Sequence, residues 1–211
     1  MIRVVLADDH AVVRRGVRQI LADAGDIEVV GEAKDYGELS NLLREQACDV
    51  LVVDISMPGK NGIEVLKAVR ERLPKIQVLI LSMFPEDQYA VRALKAGAAG
   101  YVSKEAAPEK LVDAIRLAAR GKKYITPEVA QALASQLTAG EAPENPHEAL
   151  SDREYETLRL IASGKKLSEI AEAMSLSPKT VSVYRARLLE KMKLRTNAEL
   201  THYAVKHGLV E

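Results

Sequence analysis

Two hydrophobic rhythms alternate along residues 1–120. Short runs rich in β-branched residues occur at 2–7, 27–31, 50–53, 78–81 and 100–102. Between them, apolar residues recur three and four positions apart, as on one face of a helix. Val12, Val13, Gly16, Val17, Ile20 and Leu21 make one such face, and Leu39, Leu42 and Leu43 begin another. Val65, Leu66 and Val69 make a third, while Ala90 with Leu94 and Leu111 with Ile115 belong to two more. Five strands alternating with five helices predict a doubly wound α/β domain, a parallel sheet covered on both faces. In such sheets ligands sit beyond the carboxyl ends of the strands.

The rhythm stops after Arg120. Thr126-Pro127-Glu128 reads as an N-cap with proline at the first helical position, which predicts a helix over about 127–137. Residues 140–148, with two prolines and three glutamates, read as a flexible or extended linker. From Ser151 the pattern is wholly helical. Ser151-Asp152-Arg153-Glu154 and Thr196-Asn197-Ala198-Glu199 are capping boxes, and Ser177-Pro178 supplies another start. Helices are expected over about 151–163, 167–173, 178–193 and 196–206. The organisation is therefore a domain over 1–120, a linker with one helix over 121–148, and a small all-α domain over 149–211.

Composition narrows the function classes. The chain of 211 residues is 47% hydrophobic, enough for buried cores, and its single cysteine, Cys48, excludes a disulfide framework or a cysteine-built zinc site. Cys48 itself reads as a small core residue. The first ten residues lack the basic and apolar regions of a signal peptide, and no apolar run nears the ~20 residues that span a bilayer. A cytoplasmic location is the expectation. Thirty basic and thirty acidic side chains cancel, which taken globally argues against nucleic acid. The charge is not even, however. Residues 1–120 carry 17 basic and 18 acidic residues, 121–148 carry 2 and 4, and 149–211 carry 11 and 8.

Candidate chemistry gathers at the strand ends. Asp8 and Asp9 follow the first strand and Asp54 the third, so a doubly wound sheet can bring three carboxylates together. Such a cluster favours a cation, and oxygen-only ligands suit Mg²⁺. Ser82 ends the fourth strand and Lys104 follows the fifth. A hydroxyl and an ammonium there could bind oxygens of a phosphoryl group carried by Asp54 as an acyl phosphate. These five residues together resemble the conserved set of the response-regulator receiver domain, a flavodoxin-like fold, over residues 1 to about 120. The resemblance implies Asp54 as phosphoacceptor, with Asp8, Asp9, Asp54 and the carbonyl of Ser56 holding Mg²⁺. It also implies Ser82 and Tyr101 as a switch pair: Ser82 turns to the phosphoryl oxygen and Tyr101 moves into the vacated space. Pro58 and Gly62 match the loop that shapes the family's site. Glu105 departs from the proline that often follows the lysine.

The segment 167–192 has helix-turn-helix spacing, with Ile170, Ala171, Val181 and Leu188 as apolar contacts. Residues 175–206 hold seven Lys/Arg against two Glu, a charge that suits DNA phosphates. Leu150-Ser151-Asp152-Arg153-Glu154, Glu169-Ile170-Ala171, Leu176-Ser177-Pro178-Lys179-Thr180-Val181 and Lys191-Met192-Lys193-Leu194 resemble the LuxR-type helix-turn-helix. Both halves together resemble a NarL/FixJ-type response regulator. The resemblance implies a DNA-contacting surface of Lys179, Thr180, Ser182, Val183, Tyr184, Arg185 and Arg187. It further implies a sensor histidine kinase as partner, double-stranded DNA as target, and a homodimer on activation through the last helix. Lys166 stands where the family often has a capping Ser or Thr, and Ala186 where some relatives carry a basic residue. A phosphohydrolase using Asp54 as nucleophile is the competing enzyme reading. Ser56, where such enzymes carry a second Asp, argues against it. A regulator whose receiver is inactive in signalling, or that dimerises without phosphate, is a third.

Overall fold

The β-branched runs form five strands: β1 (Ile2–Ala7), β2 (Ile27–Ala33), β3 (Val50–Asp54), β4 (Gln77–Ser82) and β5 (Gly100–Ser103). They pair in parallel in the order β2-β1-β3-β4-β5. β3 is buried along its whole length and β4 over all but its first residue, as strands covered on both faces must be. The edge strand β2 is mostly half-exposed. The computed structural model describes residues 1–57, 60–83, 86–106, 108–138 and 145–210. It divides into two compact units, Met1–Ala134 and Ser135–Glu211.

Four helices connect the strands and a fifth follows β5: α1 (Ala11–Asp23), α2 (Tyr36–Glu45), α3 (Gly62–Arg72), α4 (Glu86–Lys95) and α5 (Pro108–Ala119). Local signals start two of them. The Asp35 side chain accepts from the Glu38 N–H at α2, and Asn61 and Glu64 form a reciprocal capping box at α3. The buried faces follow the sequence periodicity except at Val12 and Gly16 of α1. Val17 and Leu21 are buried on α1, but Val12 is 83% exposed, because it sits in the first turn beyond the edge of the core.

Register matters for function. Ala7 pairs with Val53, Val53 with Ile80, and Ser82 with Ser103, so the carboxyl ends of β1, β3, β4 and β5 finish side by side. Beyond α5 the chain does not leave the sheet at once. The Tyr124 N–H donates to Ala99 O at 2.8 Å, and Lys123 Nζ donates to the Ala98 carbonyl. Gly100 permits this closeness, since a Cβ there would lie 2.9 Å from Tyr124 O. The stretch expected as linker from 121 thus begins as a strap along β5, followed by α6 (Pro127–Thr138).

In the second unit a 3-10 turn (Pro146–Ala149) precedes α7 (Asp152–Ala162), α8 (Leu167–Ala173), α9 (Pro178–Met192) and α10 (Asn197–Lys206). The turn lies where an extended linker was expected. Asn145 Nδ2 bonds Glu148 at 3.0 Å, and His147 Nδ1 meets the Tyr203 hydroxyl of α10 at 2.8 Å. Leu158, Ile170, Val181, Leu188 and Leu200 are fully buried between the helices. Cys48 is half-buried rather than in a core, and burial pushes its thiol up to about 11, which keeps it protonated. Among the described residues, no helix is long and apolar enough to cross a membrane.

Candidate acidic site and nucleic-acid interface

The sheet order puts β1 beside β3, so Asp8 and Asp9 meet Asp54 at one edge. Asp8 and Asp54 are buried, Asp9 exposed and Ser56 half-buried. Lys104 reaches in from the end of β5. Its Nζ lies 2.6 Å from Asp8 Oδ2 and 2.9 Å from Asp54 Oδ2. Burial pushes the Asp54 carboxyl above its ordinary value; Lys104 pulls the other way, and Asp8 adds to the rise. Burial opposes the charge on Lys104, but Asp54 and Asp8 outweigh it, so the ammonium holds its proton more tightly than usual. The Ser56 backbone N–H also bonds the Asp54 side chain.

Three carboxylates thus face one ammonium. Asp8, Asp9, His10 and Asp54 each offer one ligand atom, all within 4.8 Å of one another. The donor set fits a divalent cation, which would neutralise what Lys104 leaves uncompensated. Ser82 is fully buried at the end of β4, and its carbonyl accepts the Lys104 N–H at 2.7 Å, tying the two strand ends together. Tyr101 is 3% exposed within β5. Gly62 starts α3 directly against the end of β3, and its N–H donates to Ile55 O at 2.9 Å. Pro58 lies outside the described residues.

Two residues at this edge carry no expectation from the sequence. His10 Nδ1 lies 2.7 Å from Asp9 Oδ1. Arg14 donates to the Asp8 carbonyl at 2.6 Å while its Nε faces Glu32 at 3.4 Å. The available signal for His10 was its adjacency to Asp8-Asp9. For Arg14, set in a helical pattern, there was none.

In the second unit, α8 and α9 are joined by a four-residue turn, 174–177, that contains Ser175 at φ 52°. Ser177 caps α9 by accepting the Thr180 N–H at 3.1 Å, and the Ser182 hydroxyl donates to Pro178 O at 2.9 Å. Lys179, Ser182, Val183 and Arg187 are exposed, and Thr180, Tyr184 and Arg185 half-exposed, so all seven expected residues reach the surface of one helix. Their charges are not equivalent. Arg185 Nε bonds Asn197 Oδ1 at 2.6 Å, and nearby Lys191 bonds Glu154 at 2.6 Å. Among the described residues, Lys179, Arg187 and Lys193 form no ion pair. Lys166 contributes no side-chain cap; its backbone N–H instead donates to Glu169 at 2.7 Å.

Comparison with known proteins accounts for both units. The response regulator receiver domain matches residues 4–116, and the bacterial regulatory proteins of the luxR family match 148–204. The chain is 41% identical over 209 residues to the response regulator UvrY of Escherichia coli (strain K12), spanning 99% of this chain and 96% of that protein. The chain belongs to the NarL/FixJ-type response regulators. This regulator is also 38% identical over 211 residues to the response regulator GacA of Pseudomonas aeruginosa, covering 100% of this chain and 99% of GacA. Among solved structures, it matches RcsB from Salmonella enterica serovar Typhimurium, bound to promoter rprA in the presence of phosphomimetic BeF3-. That likeness has a TM-score of 0.66 at 30% identity, over 96% of this chain and 97% of that one. A further match, at TM-score 0.59 and 30% identity over 97% and 98% of the two chains, is to two RcsB dimers bound to two parallel DNAs. The response regulator is a two-component, DNA-binding regulator of transcription, with a parallel-sheet receiver and a LuxR-type helix-turn-helix.

Proposed function

We propose that Asp54 accepts a phosphoryl group from a sensor histidine kinase and that this modification promotes dimeric DNA binding by α9. The observation that carries the reading is the burial of Asp54 at the sheet edge, beside Asp8 and 2.9 Å from Lys104 Nζ. An Asp54 oxygen attacks phosphorus, the new P–O bond forms, and the bond to the donor's leaving group breaks. Asp8, Asp9, Asp54 and the Ser56 carbonyl would hold Mg²⁺, which supplies charge neutralisation for the phosphoryl oxygens. Lys104 already stands where a second cation is needed, and moving from Asp54 Oδ2 to a phosphoryl oxygen asks little of it.

The added charge of about −1.5 to −2 must be read elsewhere in the molecule. Ser82 and Tyr101 are the elements for that reading, with the Ser82 hydroxyl turning to the phosphoryl oxygen. Tyr101, buried in the strand next to the one that ends at Ser82, is placed to follow that hydroxyl, so phosphorylation acts by shifting the pair between two arrangements. The receiver extends over 1–120 with its strap, the linker lies within 121–148, and the DNA-binding domain covers 149–211. Lys179, Thr180, Ser182, Val183, Tyr184, Arg185 and Arg187 form the DNA-facing surface, with Lys179 and Arg187 on phosphates. A cytoplasmic location follows from these partners. The Asp54→Asn variant is expected to take up no label from a small acyl-phosphate donor with Mg²⁺. Wild-type labelling of that variant overturns the assignment.

A further inference from the structure

His10 is the one member of the acidic cluster that is neither a carboxylate nor part of the phosphoryl-binding set. Its placement is built rather than incidental. The residue is the N-cap of α1, its backbone N–H donates to Asp8 Oδ1 at 2.8 Å, and its carbonyl accepts the Arg14 N–H at 3.1 Å. Arg14 in turn grips the Asp8 carbonyl at 2.6 Å. The backbone that carries the imidazole is thereby held against Asp8, and Nδ1 faces inward, 2.7 Å from Asp9 Oδ1 and 3.4 Å from Asp8 Oδ1.

Those separations are the ones a shared cation requires. In octahedral coordination with bonds of about 2.1 Å, adjacent donors stand about 3.0 Å apart and opposite donors about 4.2 Å apart. The two distances from Nδ1 bracket the first value, while the 4.8 Å span of the four donor atoms exceeds the second, so the exposed Asp9 and His10 side chains must draw in for all four to bind. Nitrogen alters the selectivity of such a site. Imidazole suits Zn, Ni, Cu and Fe, whereas carboxylate and carbonyl oxygens suit Mg, Ca and Mn. A site of oxygens alone leaves Mg²⁺ little disadvantaged, while one imidazole tilts it toward the later first-row ions.

We propose that His10 is a further protein ligand of the receiver's cation site, binding through Nδ1 and biasing that site toward the later first-row divalent ions relative to Mg²⁺. The inference rests on the reading of Asp8, Asp9 and Asp54 as metal ligands and adds a donor of different chemistry to it. In the metal-free protein the same nitrogen pairs with Asp9. Cation binding exchanges that pair for two metal bonds.

The test uses the full chain loaded with Mn²⁺ and examined by electron spin-echo modulation, which detects directly bonded ¹⁴N. The wild type is expected to show nitrogen modulation that His10→Ala lacks, while both retain bound Mn²⁺. The side chain is 62% exposed and makes no cap bond, so its removal leaves the fold intact. Competition titrations are expected to show Co²⁺ affinity falling about tenfold or more in the variant, with Mg²⁺ affinity changing less than about threefold. Bound Mn²⁺ without nitrogen modulation in the wild type overturns the role of His10, as does an equal loss for both ions. Absence of any Mn²⁺ or Mg²⁺ binding by the wild type overturns the metal reading itself.

Discussion

Gly62 is where the fold and the chemistry press hardest on each other. It opens α3 with its Cα against the end of β3. A Cβ there would stand 2.4 Å from Asp54 O and 2.9 Å from both Asp54 C and Ile55 Cα. Backbone atoms cannot swing aside as a side chain can. Reaching an ordinary contact of 3.4 Å needs a displacement of about 1 Å. Either α3 backs away, breaking the 2.9 Å bond from the Gly62 N–H to Ile55 O, or the strand end carrying Asp54 moves. Overpacking of this kind costs about 1–3 kcal/mol, and the lost hydrogen bond about 1 more. Gly62→Ala is therefore expected to lower the receiver's Tm by roughly 6–20 °C in circular dichroism melts. A misplacement of about 1 Å at the acceptor should also slow labelling by acyl phosphate by about 10²-fold. Gly16→Ala is the control. It lies exposed within α1 with nothing within 4 Å of the added Cβ, so alanine should stabilise by about 0.5–1 kcal/mol. If Gly62→Ala melts and labels like the wild type, the strand end is softer than its packing implies and the reasoning fails.

Two further outcomes concern the DNA-binding unit. Glu154 accepts from the Ser151 N–H at 2.8 Å and from Lys191 at 2.6 Å. Glu154→Ala should therefore cost about 1–3 kcal/mol in urea unfolding at neutral pH. Burial raises the Glu154 carboxyl, but Lys191 and Ser151 outweigh it and hold the group below its usual 4.5. Its contribution is thus present above that value and lost as the pH falls through the lowered one. The gap between wild type and variant should narrow in acid, and a gap that widens there refutes the pairing. Neutralising Lys179 and Arg187 together should flatten the dependence of log affinity on log salt by about 2 units, read by fluorescence anisotropy with duplex DNA. An unchanged slope means neither side chain meets a phosphate.

The fold was legible because its signals are local and repeated. Strand and helix follow from period, and α2, α3, α7 and α9 start where a side-chain oxygen caps them. Asp8, Asp9, Asp54 and Lys104 were legible for a different reason: parallel topology sends every strand's carboxyl end to one edge, so residues just after strands share a neighbourhood. The misses have physical causes too. Val12 fits the apolar period of α1, yet periodicity does not say where the core stops. The strap at 121–124 depends on Gly100 leaving room for Tyr124, a tertiary fact with no pattern in the chain. The turn at Pro146–Ala149 is pinned by His147 meeting Tyr203, 56 residues away.

Charge shows the same division between what a chain's pattern declares and what its folding decides. The excess of basic residues over 175–206 marks α9 as the end that meets polyanions, but folding withdraws part of that excess. Arg185 is turned toward Asn197 and Lys191 toward Glu154. These two side chains hold α9 against α10 and α7. A cation already sharing a hydrogen bond with a protein oxygen gains less from a phosphate than one left in water, because it must first give up that bond. Lys179 and Arg187, with Lys193 just past the helix, are exposed cations without an ion pair among the described residues. Lys179 and Arg187 stand two turns apart along α9, a spacing that would let both reach one DNA backbone. The salt dependence of DNA binding is therefore expected to report these free charges rather than the full basic count of 175–206.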